Sequence, residues 1–328
     1  MLTTVDLNGF KSFVSDTIDL GKLTLLTGLN SSGKSSVIQA ILMLAKASRK
    51  EEIFLEGHGD IAGLRNPYTK KIEIAASFEN GSIVSLCNDK VNLDGDIIFP
   101  EIIHISADRF GPETTIPIFM GNNKTLGKRG ENILKCIDAY EDESLPDILK
   151  HDKSQGDTFG YNLEAWLSVI SPNTKFKHEI QKKTDSSFAT FNGYRAKNVG
   201  FGLSYALPVI VALLLGSITP NSLVIIENPE AHLHPKGQTE IARLISLCVE
   251  TGTQVIVETH SDHLFDGIRI QAKKSKSNFH EKINTYWFEL DDQDNTDVQM
   301  VVIDKNGRLD SCPDGLFDQF EINARELI

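Results

Sequence analysis

The stretch "KLTLLTGLNSSGKSSVIQAILMLAKAS" (residues 22–48) decides the fold. Its first apolar run predicts a buried strand, and the apolar residues at helical spacing after the glycines predict a helix. Between them, "GLNSSGKS" (Gly28–Ser35) fits the pattern G-x-x-x-x-G-K-[ST] in the strand-to-helix setting that the pattern requires. The glycines let backbone N–H groups curl around an anionic phosphate, and the helix N-terminus adds a favourable dipole. The stretch therefore predicts one unit of a parallel α/β sheet that binds a nucleotide phosphate.

Two side chains of this motif have specific roles in such a site. Lys34 is expected to reach the β- and γ-phosphates, and Ser35 is expected to ligate Mg²⁺. A chance glycine-rich turn is the alternative, and the strand and helix on either side disfavour it. The candidate nucleotide-binding residues are Gly28, Asn30, Ser31, Ser32, Gly33, Lys34, Ser35 and Ser36.

Two further apolar strands are predicted downstream, and each ends in a polar residue. "LVIIENPE" (223–230) ends its apolar run at Glu227, which suits the residue that holds the magnesium water shell. "VIVETHSDHL" (255–264) reaches His260, and a histidine at the carboxyl edge of such a sheet can contact a terminal phosphate. Alone, His260 reads as a polar strand end without a ligand. Paired with the glycine motif, Glu227 and His260 become candidate catalytic residues.

The composition is that of an ordinary soluble globular protein. The chain has 328 residues, of which 40% are hydrophobic and 24% are charged, enough for one large domain or two modest ones. Its net charge of -12 disfavours nonspecific binding to nucleic acid, which depends on neutralising phosphates. Two lysine runs leave a local DNA contact open, although a solvated face is the more common meaning of such runs. These lysines are Lys175, Lys177, Lys182, Lys183, Lys273, Lys274 and Lys276.

Cysteine spacing and apolar runs indicate a cytoplasmic protein. The four cysteines lie far apart, without the paired spacing of a zinc site or a redox motif, which favours reduced thiols. The N-terminus has no apolar signal core. The longest apolar run, "ALPVIVALLLG" (206–216), is too short to span a bilayer and predicts a buried helix. No membrane partner is expected.

The three motifs together resemble those of the ABC-type, AAA-family ATPases, in the branch of RecF-like, chromosome-maintenance (SMC) and overcoming-lysogenisation-defect (OLD) proteins. The resemblance covers nearly the whole chain. Gly28–Ser35 is similar to the Walker A loop, Leu223–Glu227 to the Walker B strand, and His260 to the switch histidine. "NVGFGLSYALP" (198–208) resembles the signature loop that such proteins present to the ATP of a partner subunit. "PDGLFDQFE" (313–321) resembles a bacterial subfamily often found among phage-defence genes.

The resemblance implies an α/β fold, an ABC-ATPase head with a mixed P-loop sheet and flanking helices. Residues 1–328 are expected to form a single head. Residues 51–100, with short alternating runs and "NG" and "DG" turns, predict an inserted antiparallel β-lobe. Residues 116–197 predict a helical and loop insertion. Residues 198–328 are expected to hold the signature loop, the Walker B strand, the switch histidine and the C-terminal strands.

Two loops depart from the family pattern. "ISADRFGP" (105–112) occupies the position of the Q-loop without a glutamine, so Asp108 and Arg109 are the candidates there. The signature loop lacks the usual serine-glycine-glycine-glutamine order, and a glycine helix start with packing duties only is the alternative reading. As a signature, its glycines would allow close backbone approach, and one polar side chain would contact the nucleotide. The candidates are Asn198, Gly200, Gly202 and Ser204.

The family mechanism implies Mg²⁺ and two ATP molecules held between two heads, and hence a homodimer or a higher homo-oligomer. "AHLH" (231–234) falls where these ATPases have a loop that crosses the dimer interface. A metal-binding role for His232 and His234 is disfavoured, because no acid or cysteine nearby completes a usual zinc spacing.

The residue that activates water is an open question at this stage. In this family the base directly follows the metal-holding acid, and Asn228 occupies that position. An amide can orient water but cannot accept its proton. Because Pro229 favours an extended segment, Asn228 and Glu230 are expected to point the same way. One hypothesis is slow hydrolysis, with Glu230 as base or Asn228 as water positioner, and the other is an ATP-gated clamp with little turnover.

These inferences predict an ATPase that acts as the sensor or regulator of a bacterial anti-phage defence system. The sequence shows neither room for a long coiled-coil arm nor the carboxylate cluster of an OLD-type nuclease domain. The effector, a nuclease or a toxin, is therefore expected to be a separate chain. A RecF-like DNA-repair ATPase that clamps DNA is one alternative, and a non-hydrolysing, ATP-gated scaffold is the other.

Overall fold

The structure is a computed structural model that describes residues 1–118 and 125–327. A first compact unit contains Met1–Pro100, Glu281–Asp304 and Arg308–Ile328, and a second contains Glu101–His280 and Lys305–Gly307. The strands are β1 Leu2–Phe10, β2 Phe13–Asp19, β3 Leu23–Gly28, β4 Glu73–Phe78, β5 Ile83–Cys87, β6 Lys90–Asp94, β7 Glu101–Ile105, β8 Ile116–Pro117, β9 Phe176–Gln181, β10 Ser186–Phe191, β11 Tyr194–Arg195, β12 Ser222–Glu227, β13 Gln254–Glu258, β14 Ile283–Leu290 and β15 Thr296–Val301. The α-helices are α1 Lys34–Ser48, α2 Ile61–Leu64, α3 Ile133–Tyr140, α4 Phe159–Ile170, α5 Phe201–Ile218, α6 Pro235–Glu250, α7 Asp262–Lys274 and α8 Gln319–Glu326.

The first unit contains a five-stranded antiparallel sheet in the order β2-β1-β4-β5-β6. Buried residues alternate along β4, and α1 packs against β1, β4 and β5. Strands β4 to β6 lie within residues 51–100, the range expected to form an inserted lobe. Because β4 pairs with β1, these strands extend the N-terminal sheet.

A second group of strands in the first unit carries the glycine motif. β14 lies parallel to β3, with Phe288 opposite Gly28, and β15 lies antiparallel to β14. All six residues of β3 are buried. The predicted C-terminal strand pair corresponds to β14 and β15, and it places the end of β3 beside a strand from the far end of the chain.

The second unit is built on a parallel sheet of β7, β12 and β13, with β12 in the middle. Ile226 of β12 lies opposite Ile105 of β7 and Val257 of β13. Because the strands are parallel and in this register, their carboxyl ends reach the same edge of the sheet. The residues that follow the three strands are therefore brought together, and they include Glu227 and His260.

Helix α5 is the apolar core helix of the second unit and packs against β7, β12, α4 and α6. It is longer than the predicted apolar run, at 18 residues. Within the described residues it is the one helix with enough length and apolarity to cross a membrane, at a mean hydropathy of 2.1, and 67% of it is buried in the structure. The packing of α5 on the sheet fixes where its first residue, Phe201, lies in the second unit.

Residues 116–197 contain helices α3 and α4, and also four strands that the sequence did not indicate. β8, β10 and β11 form a small antiparallel sheet, and β9 pairs with β10. The buried positions of β10 include Ser187 and Ala189, which are small, so its alternation of apolar and polar residues is weak. Residues 119–124 of this range lie outside the described part of the chain.

Candidate functional site

The phosphate loop (Gly28–Ser35) is shaped by backbone conformations that glycine permits. Gly28 and Gly33 have φ angles of 140° and 107°, in the left-handed region. A Cβ atom on Gly33 would lie 2.5 Å from the Thr296 hydroxyl oxygen, so no side chain fits there. Ser31, with φ of 63°, adds a further left-handed residue. These conformations turn β3 sharply into α1.

Lys34 is 3% exposed, and its ammonium group turns back into the phosphate loop. Nζ donates to the carbonyl oxygens of Gly28 at 3.1 Å and Leu29 at 2.5 Å. The Ser32 hydroxyl donates to the same Leu29 carbonyl at 2.8 Å. The loop thus holds a buried positive charge on its own carbonyl groups, which is where an anionic phosphate is attracted.

Two contacts from far along the chain anchor the phosphate loop within the first unit. Leu29 N donates to the Phe288 carbonyl oxygen at 3.2 Å, and Thr296 provides the second contact. The Thr296 hydroxyl donates to the Ser32 carbonyl oxygen at 3.0 Å and lies 2.6 Å from Ser12 Oγ. Asn30 and Ser31 are exposed at the loop tip. Of the other candidates, Ser35 is partly exposed and Ser36 is buried.

Glu227 ends β12 in the second unit, and both of its carboxylate oxygens are engaged. His104 Nε2 lies 2.8 Å from Oε1, and Ala107 N donates to Oε2 at 3.3 Å. Burial raises the pKa of Glu227, but the hydrogen bonds and the charge of Arg109 outweigh it, so the pKa lies below its ordinary value. Glu227 is therefore ionised at neutral pH, as a residue that supports a magnesium ion must be.

Glu230 has a different environment from Glu227. Its Oε1 accepts a hydrogen bond from His260 N at 2.8 Å. Its Oε2 is buried and has no hydrogen-bond partner among the described residues. Burial raises the pKa of Glu230, and the backbone N–H groups of His260 and Glu230, the Thr259 hydroxyl and the charge of Arg109 offset this only in part. One fixed oxygen, one free oxygen and a raised pKa suit a general base.

The acid turn (Glu227–Glu230) is not extended, so the expectation that Asn228 and Glu230 align by strand alternation is wrong. Asn228 has a φ of 46°, and its carbonyl oxygen accepts from Ala231 N at 3.1 Å, which closes a turn. Asparagine tolerates the left-handed region, and this overrides the extended preference before Pro229. Asn228 Oδ1 is buried without a partner in residues 1–118 and 125–327.

Arg109 and Asp108, the candidates at the Q-loop position, differ sharply in exposure. Arg109 is 2% exposed, and its Nη1 and Nη2 donate to the carbonyl oxygens of Glu227 and Asn228, each at 2.7 Å. Burial lowers the pKa of Arg109 to about 10, so it stays charged at neutral pH. The side chain of Asp108 is 79% exposed and pairs with Arg129 at 3.2 Å. Arg109 therefore supports the acid turn from within.

The signature candidates lie at and before the start of α5. Asn198 and Gly200 are exposed, and Gly200 precedes the first helical residue. A Cβ atom on Gly202 would lie 3.0 Å from the His232 carbonyl oxygen, so the helix start approaches that loop closely. Ser204 Oγ is buried and has no partner in the part of the chain that the structure describes. Of the two polar candidates, Asn198 is therefore the exposed one.

The histidines after the acid turn have packing and capping contacts. The His232 ring lies 4.4 Å from the Tyr205 ring and 5.3 Å from the Phe201 ring, centroid to centroid. His234 Nδ1 accepts from Lys236 N at 3.3 Å, at the start of α6. His260 is exposed just after β13, where a phosphate-contacting histidine was predicted.

The two lysine runs lie on exposed positions of the second unit. Lys177 is on β9, and Lys273 and Lys274 are the last residues of α7. Glu179 is exposed on the same strand as Lys177. Such mixed charge is typical of a solvated face.

Two family models match the regions that contain these residues. One, described as "AAA ATPase domain", matches residues 1–154, and another, described as "AAA domain, putative AbiEii toxin, Type IV TA system", matches residues 129–266. A third, described as "Protein of unknown function (DUF3696)", matches residues 280–327. The chain is also 22% identical over 337 residues to the "Old nuclease" of Escherichia phage P2. That match covers 79% of this chain and 56% of the relative, so the chain spans little more than half of the relative's length.

Solved SMC heads share the fold. A head bound to the C-winged helix domain of ScpA has a TM-score of 0.55 at 16% identity, covering 93% of this chain and 98% of that one. A head with an extended coiled coil, bound to the C-terminal domain of ScpA derived from Pyrococcus furiosus, has a TM-score of 0.54 at 12% identity, covering 100% and 99%. Residues 1–266 match AAA ATPase models and have the fold of SMC heads, which fits the RecF, SMC and OLD branch of ABC-type ATPases. The matched ATPase models indicate an ATP-binding protein.

In this ATPase domain, sequence analysis missed His104 and the buried role of Arg109. His104 lies 123 residues before Glu227, so no motif spacing connects the two. The one signal was a polar residue inside the isoleucine-rich run "EIIHI" of a predicted core strand. Since β7 pairs with β12, a histidine at the penultimate position of β7 is within reach of the acid that ends β12.

Proposed function

We propose that this ATPase domain hydrolyses ATP slowly with Glu230 as the general base. In this proposal, ATP-dependent pairing of two copies regulates an effector in bacterial anti-phage defence. The observation that carries the catalytic part is the contrast between the two acids of the acid turn. Glu227 has both oxygens engaged and a lowered pKa, whereas Glu230 has one free buried oxygen and a raised pKa. Glu227 is therefore suited to stay ionised, and Glu230 is suited to accept a proton.

The residues of the phosphate loop fit ATP with Mg²⁺. Gly33 has no room for a Cβ atom, and Lys34 is held at the centre of the loop by carbonyl groups that a phosphate can replace as its partner. Lys34 would hold the β- and γ-phosphates, and Ser35 and Glu227 would serve Mg²⁺. Bound Mg²⁺ supplies neutralisation of phosphate charge.

Asn228 is assigned the orientation of water in this scheme. Its carboxamide oxygen is buried without a partner among the described residues, so it has a free acceptor. An amide cannot take the proton, which leaves that task to Glu230. Since the family's usual acid is replaced by this amide, the expected turnover is slow.

Pairing of two copies is supported by the start of α5. Asn198 and Gly200 are exposed, and Phe201 is 53% exposed although it is a large apolar residue. An exposed aromatic residue beside a glycine and a polar side chain offers both apolar area and backbone donors to a partner. We assign this surface to the second copy, where Asn198, Gly200 and Gly202 would face its nucleotide.

The printed names of the matching relatives support the regulation of an effector. The phage P2 relative is a nuclease, and one matching family description names a toxin system. We propose that the effector activity, a nuclease or a toxin, resides in a separate chain. We also propose that the protein acts in the cytoplasm.

Phosphate release by wild type and by Glu230→Gln tests the catalytic assignment. The variant is expected to lose at least about 100-fold in turnover, as removal of a general base does, while ATP binding stays within about twofold. Glu164→Gln is the matched control, because Glu164 also accepts a backbone N–H, that of Phe176 at 3.0 Å. Wild-type turnover should rise more than linearly with protein concentration if two copies are required. Equal turnover in the Glu230 variant and the wild type contradicts the assignment.

A non-hydrolysing, ATP-gated scaffold is the second candidate, and Asn228 is the observation that favours it. The position that usually provides the base is an amide, and the acid turn is held rigidly by Arg109 and His260. A wild-type protein that binds ATP and pairs, without releasing phosphate, would show this function. Asn228→Glu is then expected to introduce turnover, because it restores an acid at the usual position.

A further inference from the structure

Arg109 is a buried cation whose hydrogen bonds all lie inside the second unit. Nη1 donates to the carbonyl oxygens of Glu227 at 2.7 Å and Ser106 at 3.2 Å, and Nη2 donates to that of Asn228 at 2.7 Å. A buried charge is costly unless hydrogen bonds compensate it. Two of the three compensating carbonyl groups belong to the acid turn, and Nε is buried without a partner among the described residues. The planar guanidinium spans two successive carbonyl groups, which a single-point cation cannot do.

Two of the three carbonyl groups that Arg109 binds belong to the acid turn, and one of these is that of the strained residue Asn228. Asn228 is in the left-handed region, and its carbonyl oxygen accepts from Ala231 N as well as from Arg109. Leu233 N donates to the Glu230 carbonyl oxygen at 3.0 Å, which closes the next turn. Holding the Asn228 carbonyl therefore fixes the backbone from which the Glu230 side chain projects. A strained conformation persists only when its surroundings hold it, and Arg109 provides that hold.

The opposite side of Arg109 faces the start of helix α5. The guanidinium carbon lies 5.5 Å from the centre of the Tyr205 ring, within cation–π range. Tyr205 packs on His232, and Phe201, the first residue of the helix, packs on both. A shift of the helix start therefore moves the ring that lies over Arg109.

We propose that Arg109 is a positioning residue that locks the acid turn and connects it to the start of helix α5. The connection to catalysis rests on the proposed function of Glu230. Contact of a partner with the exposed Phe201 would be passed through Tyr205 and Arg109 to the Asn228 carbonyl group. Pairing of two copies and water activation are thereby coupled within one chain.

Hydrogen exchange in Arg109→Lys tests the lock without depending on turnover. The variant keeps the positive charge and loses the planar guanidinium that donates to two successive carbonyl groups. Peptides covering residues 228–234 contain the amides of Ala231 and Leu233, and their exchange is expected to become at least about tenfold faster. Arg243→Lys is the matched control, because Arg243 also lies over an aromatic ring, that of Trp166 at 4.8 Å, without touching the acid turn. Unchanged exchange in Arg109→Lys overturns the proposal.

Tyr205→Leu tests the connection and serves if Arg109→Lys does not fold. It removes the ring over the guanidinium and leaves the carbonyl contacts in place. Faster exchange of residues 228–234 supports the connection, and wild-type exchange there overturns it. In Arg109→Lys combined with Tyr205→Leu, the two effects should be less than additive, since both act through one side chain.

Kinetics separate this proposal from the proposed function. Arg109→Lys is expected to lower kcat by about tenfold or more and to leave the KM for ATP within about twofold, because Arg109 makes its contacts to the protein backbone. A parallel loss of ATP binding overturns the positioning role. A wild type without turnover refutes hydrolysis by Glu230, while the exchange measurements still decide the role of Arg109.

Discussion

The phosphate loop and the acid turn both follow a buried strand, yet they are held in opposite ways. Lys34 is held by Gly28 and Leu29, six and five residues away. The acid turn is held by His104, Arg109 and His260, which lie 123, 118 and 30 residues from the residues they contact. The loop is therefore largely a local structure, and the acid turn is a product of the parallel sheet.

This difference teaches which changes remain local. A substitution in the phosphate loop removes a group that meets the ligand directly. A substitution around the acid turn changes the ionisation or the backbone conformation of acid-turn residues that are not themselves substituted. Phe288 of β14 and Thr296 of β15 are the distant partners on the loop side, and they bind Leu29 and Ser32.

The largest effect is expected from Lys34→Ala, which breaks the local side of the comparison. Loss of a buried charge-assisted contact to phosphate should weaken ATP binding by about 100-fold, in line with ~2–3 kcal/mol for hydrogen bonds to charged groups. Titration calorimetry with ATP and Mg²⁺ measures it. Lys46→Ala on the same helix is the control, since the Lys46 side chain donates to the exposed Glu52 carbonyl group. Equal losses in both variants would contradict a specific role of Lys34.

His104→Ala probes the long-range side of the comparison. It removes the partner of Glu227 Oε1 and should weaken the apparent affinity for Mg²⁺ by about tenfold, as loss of an outer-shell partner does. Mg²⁺ titrations of ATP binding report it. His178→Ala, which removes a histidine stacked on Phe176 in β9, should leave the Mg²⁺ affinity at its wild-type value.

Glu230→Gln is expected to raise thermal stability near neutral pH, because burial raises the pKa of Glu230 from its ordinary value of 4.5. Below the ordinary value the carboxyl is protonated in the folded and unfolded states, and the variant has no advantage. As pH rises through the raised pKa of the folded state, the wild type loses stability relative to the variant. Melting temperatures of both proteins from pH 4 to pH 8, a range set by these pKa values, test this sign. A difference that does not change with pH would refute it.

The smallest effect is expected from Thr296→Val, which removes the distant side-chain anchor of the phosphate loop and keeps the side-chain volume. Loss of the hydrogen bond to the Ser32 carbonyl group should cost about 1 kcal/mol of unfolding free energy. Denaturant unfolding measures it. Ser15→Ala, which removes an exposed hydrogen bond to Asn8 in the same unit, is the control and should cost less. A Thr296 variant as stable as the Ser15 variant would show that Thr296 does not anchor the loop.

Much of the fold could be predicted because it repeats local patterns. β3, the phosphate loop and α1 lie where the glycine motif placed them. β12 ends at the predicted acid, Glu227, and β13 ends at Glu258, two residues before the predicted histidine. The strands of residues 116–197 escaped prediction because they have few buried residues: β8 and β11 have none, and β9 has Phe176 alone. The bend at Asn228 escaped it because proline at the next position favours extension, and the bonds that overcome this preference come from elsewhere in the chain.

The sequence by itself determined the phosphate loop and the family, because glycines, a lysine and a helix start act over fewer than ten residues. Only the tertiary structure decided that Glu227 is held as an ionised acid by His104 and that Glu230 keeps a free buried oxygen. Only it showed that Arg109 joins the acid turn to helix α5. The physical reason is that burial and hydrogen bonding set the charge and orientation of a side chain, and parallel strands bring the responsible groups together from more than 100 residues apart.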